Sequence, residues 1–259
     1  MTKIRNILIV PDKFKGSLTA VEVAGALESA VRRQLVGGQA ATVVKLPMAD
    51  GGDGSMEVVE AALGRRCRRV NVHAYDALMR PIQAPMLLYD RGQQAFIEMA
   101  KVCGLAMLRP EERNPEMTTS YGLGVMIAEA MIYGCERIVI GIGGSATNDG
   151  GAGLLKALQE VNKTELEKSA SADRRRPVLL QSLLEHADSQ HSKSTKAGRR
   201  GVWGSAPVIK ITVACDVDNP LLGPNGATMV YGPQKGADMA MLERLERRME
   251  RFAAEAGLD

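Results

Sequence analysis

The sequence predicts an α/β protein built from a Rossmann-like, three-layer parallel-sheet unit and a second, mixed α/β unit. Three observations carry this. Short apolar runs alternate with helical stripes, the run-to-helix joints are glycine- and aspartate-rich loops, and one pair of apolar runs in the middle reads as a hairpin. At 259 residues the chain is long enough for one large domain or two modest ones. The division is expected after residue 76, giving units 1–76 and 77–259.

The first unit opens with the apolar run ILIV (7–10), the loop PDKFKGS (11–17) and a helix starting near Thr19. Thr19 and Glu22 have the spacing of a capping box, in which each side chain satisfies an unpaired backbone N–H. Val23, Leu27, Val31 and Leu35 then repeat every four residues as one apolar stripe. TVVKL (42–46) is the next strand, ADGGDG (49–54) the next loop, and 55–63 the next helix, stopped by Gly64. In the middle, MLLYD (86–90) and QAFIEM (94–99) flank Arg91 and Gly92 as an antiparallel hairpin. A helix over 120–133 and the strand RIVIGIG (137–143) lead into GGSATNDGG (143–151) and a helix to about residue 161. VIKITVA (208–214) leads into CDVDN (215–219), and the last helix places Leu242, Leu245, Met249 and Phe252 on one face.

Residues 162–206 fit none of this pattern. They hold the run Arg174-Arg175-Arg176, the only tryptophan and two of the three histidines, and they are expected to form a disordered or aberrant insert. Their basic excess accounts for the net charge of +3, so the rest of the chain is nearly neutral and suggests no nucleic-acid partner. Aromatic residues make up 3%, which argues against base-stacking surfaces. No apolar run approaches the roughly 20 residues of a membrane span, and the N-terminus lacks a signal-peptide pattern. Four widely spaced cysteines point to a reducing, cytoplasmic setting rather than to disulfides or metal clusters.

Four loops share one design, a strand end followed by glycine and aspartate: 11–17, 49–54, 143–151 and 215–219. In open α/β sheets ligands bind beyond the carboxyl ends of the strands. Glycines allow backbone N–H groups to approach phosphate oxygens, and a following helix N-terminus adds partial positive charge. Aspartates there can hold Mg²⁺ or take a proton from a hydroxyl. Singly, each aspartate is as readily a turn former; four loops together point to a phosphate or nucleotide site. A Walker A loop, a GxSxG elbow and HExxH are absent, and the formal GxGxxA match at 141–146 lacks the acidic strand end that a nicotinamide cofactor needs.

PDKFKGSLTA, ADGGDG, AFIEMAKVCGL, TTSYGLG, IGIGGSATNDGGAG, ACDVDNPLLGPNGA and GPQKGA, in this order, resemble the type 1 glycerate kinase family over 1–161 and 207–259. The resemblance implies ATP- and Mg²⁺-dependent phosphorylation of D-glycerate, giving 2-phosphoglycerate or 3-phosphoglycerate, in a cleft between two α/β domains. It implies Asp50, Asp149 and Asp216 as the catalytic pool, from which a metal ligand and a base come. It implies substrate or phosphate contacts from Asp12, Lys15, Ser17, Gly51, Gly52, Gly143, Gly144, Ser145, Thr147, Asn148, Asn219 and Lys235. Lys13 stands where the family usually has serine, and Asp53 where it has glutamate. Family members continue beyond a position matching Asp259 into a glycine-rich segment, so the C-terminal half of the first domain is expected to lie outside this chain. The alternative is a truncated, non-catalytic paralogue that at most binds an organic acid or a partner.

Overall fold

The computed structural model describes residues 6–34, 41–169 and 209–257, with the side chains of 162–169 excepted. The first strand, β1 (Asn6–Ile9), pairs in parallel with β2 (Thr42–Lys45) across the helix α1 (Ala20–Gln34). The capping box is present: the Thr19 N–H donates to Glu22 Oε2 (2.8 Å) and the Glu22 N–H to Thr19 Oγ1 (3.2 Å). The apolar stripe on α1 is covered only at its start. Val23 is buried, whereas Leu27 is 46% exposed; among the described residues the sheet beside this helix has two strands.

Helix α2 (Ser55–Leu63) leads through a short 3₁₀ turn into a second sheet. Its strands are β3 (Cys67–Tyr75), β4 (Pro81–Tyr89), β5 (Gln94–Glu98), β6 (Arg137–Gly141) and β7 (Lys210–Ala214), side by side in that order. The first three are antiparallel and the last three parallel. The hairpin read at 86–99 is thus present, with Leu87 opposite Phe96. Strand β3 was not read from the sequence. It pairs along its whole length with β4, which ties residues 67–75 to the second sheet although they precede the expected division at 76.

The main core lies on one face of this sheet, where α4 (Tyr121–Ile132) and α5 (Ala152–Ser169) pack over residues such as Met86, Ile97 and Ile138. The short helix α3 (Ala100–Cys103) follows β5 on the same side. On the other face, Met56 of α2 meets Leu87 and Phe96. Helix α5 runs through Ser169, so the first eight residues of the odd segment continue a helix instead of leaving the fold; its remainder, 170–206, falls outside the described residues. After α6 (Ala227–Tyr231), α7 (Met239–Ala256) is capped by Asp238, whose carboxylate accepts from the Met241 N–H (2.7 Å), and buries Leu242, Leu245 and Met249. Among the described residues, no helix is long and apolar enough to cross a membrane.

Candidate active site

The parallel register aligns the carboxyl ends of β5, β6 and β7, with Glu98, Gly141 and Ala214 side by side. The 49–54 loop lies directly on this edge. Gly51 has φ +87°, and a Cβ there would stand 2.6 Å from the Ala214 carbonyl oxygen; one on Gly141 would stand 2.5 Å from the Gly51 carbonyl oxygen. Glycine is therefore needed for the backbones to touch. The Gly143 N–H donates to the Gly51 carbonyl (3.1 Å), so this amide joins two loops and is not free to cradle a phosphate.

In front of these loops is an open cavity of about 370 Å³. Lys15, Ser17, Asp50, Gly144, Asp53 and Glu57 are among its walls, with Lys13 and Lys101. Its charges are mostly matched. Lys13 Nζ donates to both oxygens of Asp50 (2.9 and 3.0 Å), and Asp50 Oδ1 also accepts from the Gly52 N–H (2.8 Å). Burial alone disfavours both charges. It is the largest single influence on each, but the hydrogen bond between them, their mutual charge attraction and, for Asp50, the Gly52 N–H together outweigh it, holding the Lys13 ammonium above and the Asp50 carboxyl below their ordinary values. Lys101 bridges Glu57 (3.2 Å) and Glu98 (3.9 Å). Lys15 is exposed and pairs with no carboxylate among the described residues.

Glu98 is fully buried behind this cavity. Its two oxygens accept from the N–H groups of Gly54 (3.0 Å) and Met56 (2.7 Å), so the N-terminus of α2 already holds a carboxylate. The expectation that this helix start offers its field to a phosphate is therefore corrected. Burial raises the Glu98 pKa despite those two donors and the Lys101 charge.

The 143–151 loop is a second, mostly buried cluster. Asp149 Oδ2 accepts from the Ser120 N–H and hydroxyl (2.8 Å each) and the Gly153 N–H (3.1 Å), and Oδ1 from the Gly151 N–H (3.2 Å). One carboxylate thereby clamps the starts of α4 and α5. Lys235 Nζ donates to the Thr147 carbonyl (2.6 Å) and Ser145 Oγ (3.1 Å). Burial pushes the Lys235 ammonium down to about 8, with the Asp149 charge opposing the shift. Asn148 Nδ2 donates to Thr228 Oγ1 (3.2 Å). The remaining expected residues lie apart. Asp12 is exposed and accepts from the neighbouring Lys13 N–H (2.6 Å), Asp216 is exposed after β7, and Asn219 Nδ2 donates to the Asn225 carbonyl (2.9 Å) within its own loop.

Asp50, Asp149 and Asp216 thus do not converge, and no group of three metal-binding side chains exists among the described residues. Among the described residues, Asp53 and Glu57 are carboxylates of the cavity wall, and oxygen donors of this kind suit a hard divalent cation. Asp53 is exposed there, and Glu57 Oε2 is a buried oxygen without a hydrogen-bond partner. Mg²⁺ commonly binds one or two carboxylates plus substrate phosphates, which such a pair can provide.

The family model described as "Glycerate kinase family" matches residues 7–257. The chain belongs to the glycerate kinase family. It is 40% identical over 248 residues to "Glycerate kinase" of Bacillus subtilis (strain 168), covering 95% of this chain and 60% of that protein. It is 38% identical over 254 residues to "Glycerate 2-kinase" of Escherichia coli (strain K12), covering 95% and 60%. The crystal structure of a candidate glycerate kinase 2 from Salmonella typhimurium LT2 superposes with a TM-score of 0.66 at 37% identity, covering 96% of this chain and 63% of that one. The chain therefore spans about three-fifths of the length of these glycerate kinase relatives.

Within this family frame, sequence reading placed Asp53 in a ligand loop without assigning it, and did not single out Glu57 and Lys101 of the cavity wall or Glu98 behind it. The signal for two of them was present in AFIEMAK, a strand ending in an acid with a lysine three residues on. Glu57 sits in the first turn of α2, where an acid reads as a partner of the helix dipole rather than as a cavity wall.

Proposed function

We propose that the protein is a glycerate kinase that transfers the γ-phosphoryl group of ATP, as its Mg²⁺ complex, to a hydroxyl of D-glycerate, giving 2-phosphoglycerate or 3-phosphoglycerate. The observation that carries this reading is the cavity at the strand ends, where, among the described residues, Lys15 alone of the lysines of the wall is not claimed by a carboxylate. A free ammonium beside glycines and a serine suits a small organic anion or a transferring phosphoryl group. In our reading Lys15 and Ser17 receive the anion. Asp50, kept ionised by Lys13, accepts the proton of the attacking hydroxyl as its oxygen bonds to phosphorus and the bond from phosphorus to the ADP oxygen breaks. Asp53 and Glu57 would hold Mg²⁺, which when bound neutralises phosphate charge.

The buried cluster has a different role in this reading. Lys235 and Asp149 fix the 143–151 loop so that Gly144 stays on the cavity wall, and neither touches the reacting atoms. Asp12, Asp216 and Asn219 belong to loops that reach the ligand only from outside the cavity. We also read the chain as two units that divide in the 64–66 turn, and as a cytoplasmic protein acting on a small molecule without nucleic acid or membrane.

The test is an ADP-release assay with D-glycerate and MgATP on the protein encoded by the full reading frame. Turnover dependent on D-glycerate supports the reading. Its absence in a folded sample favours the alternative of a non-catalytic paralogue.

A further inference from the structure

The opposite end of the second sheet carries a basic groove. There Cys67 of β3 pairs with Tyr89 of β4, and Tyr89 pairs with Gln94, the first residue of β5; Glu98 and the candidate active site lie at the other end of β5. Two adjoining cavities of about 270 and 390 Å³ share Arg66, Tyr89 and Arg91, and Arg65 and Arg68 complete the wall of the first. Four arginines thus line one opening.

Strand alternation explains why Arg68 lacks the acidic partners of its neighbour. Arg69 points to the α2 face, where it pairs with Glu57 and Glu60, while Arg68 is on the other face opposite Leu88. Arg66 donates to the Ala62 and Leu63 carbonyls (3.2 and 3.3 Å) at the end of α2. Arg65, Arg68 and Arg91 have no carboxylate within 4 Å among the described residues. The carboxylate of Asp90, at the edge of the groove, accepts from Gln94 Nε2 (2.8 Å). The turn that presents Arg91 is held in an unfavourable backbone region: Asp90 has φ +51° and Arg91 φ +58°, followed by Gly92 at +88°. Two non-glycine residues in the left-handed region mark a backbone that the surroundings over-determine.

We propose that this groove is a second anion site, binding the phosphoryl dianion of a small phosphate-bearing molecule or of inorganic phosphate. Three guanidinium groups without carboxylate partners among the described residues carry excess positive charge to match two negative charges, and each is a fork of paired N–H donors suited to phosphate oxygens. The site lies beyond the far end of α2, which at nine residues is ~13 Å long, so its ligand is not the phosphoryl group in transfer.

The experiment is calorimetric titration of inorganic phosphate and, separately, glycerol 3-phosphate into this chain carrying Lys15→Met, which removes the unclaimed cation of the other site. Ionic strength is held constant with KCl. Saturable binding is expected, with Kd raised about tenfold or more by adding Arg68→Ser and Arg91→Ser. Arg68→Lys with Arg91→Lys, which keeps charge but loses the forks, is expected to fall between. Tighter binding of the ester identifies a phosphorylated metabolite as ligand, and tighter binding of phosphate the free ion. No saturable heat, or equal Kd in the serine and parent proteins, overturns the proposal. If the serine variant does not fold, an unchanged Kd in the lysine variant overturns it instead. Glycerate kinase turnover of the arginine variants is expected to be unchanged, so this result stands apart from that of the activity assay.

Discussion

Replacing Asp149 by asparagine separates a clamp from a base. In the structure its carboxylate accepts four hydrogen bonds of 2.8–3.2 Å, three of them from backbone N–H groups, and Thr119 Oγ1 stands at 3.4 Å. Asparagine keeps one acceptor oxygen. If that oxygen faces Ser120 and Gly153, the new NH₂ group faces the Gly151 N–H, leaving one buried donor unpaired; the reverse orientation strands more. One unpaired buried donor costs about 1–3 kcal/mol, and losing the charge weakens the bonds that remain. We expect about 2–4 kcal/mol in total, which for a chain of this size lowers Tm by roughly 5–15 °C. Asp149 does not line the cavity, so kcat at 25 °C should stay within about tenfold of the parent in the folded fraction. Loss of a general base would instead lower kcat by about 10² or more. Differential scanning calorimetry and the ADP-release assay on one sample decide it. An unchanged Tm with a hundredfold loss of kcat would refute the clamp and restore Asp149 as the base.

Lys235 provides a pH test. Its ammonium titrates at about 8 when folded against 10.5 ordinarily, so between these values the unfolded chain binds a proton that the folded protein lacks. Stability gains from this group as pH rises through that window, by roughly 1.4 kcal/mol per pH unit at most, and Lys235→Met should abolish that gain in melts taken from pH 7.5 to 10. Lys15→Met should raise the KM for D-glycerate about tenfold or more while leaving Tm within about 1–2 °C, since the side chain is exposed and has no carboxylate partner among the described residues; an unchanged KM removes Lys15 from the site. Gly141→Ala places a Cβ 2.5 Å from the Gly51 carbonyl oxygen and should cost about 1–3 kcal/mol, read as a lower urea midpoint; a parental midpoint would mean that the two loops separate freely.

What the sequence by itself determined is what is written over a few neighbouring residues. The Thr19–Glu22 box fixed the start of α1, the spacing of Leu242, Leu245 and Met249 fixed the buried face of α7, and alternation of apolar runs with glycine-rich loops marked where strands end and loops begin. Strand β3 escaped because its CRRVNVHAY run opens on two adjacent arginines and alternates only over Val70–Ala74, and its full length as a strand comes from pairing with β4. The division of labour within the site was decided only by tertiary structure. Spacing cannot reveal that Glu98 reaches Met56 across 42 residues to occupy a helix start, or that Lys235 crosses 88 residues to hold the Thr147 carbonyl. Nor can it tell an aspartate facing solvent from one such as Asp149, whose oxygens are already met by backbone donors from two helices. A carboxylate's chemistry depends on its burial and its partners, and folding alone brings those together.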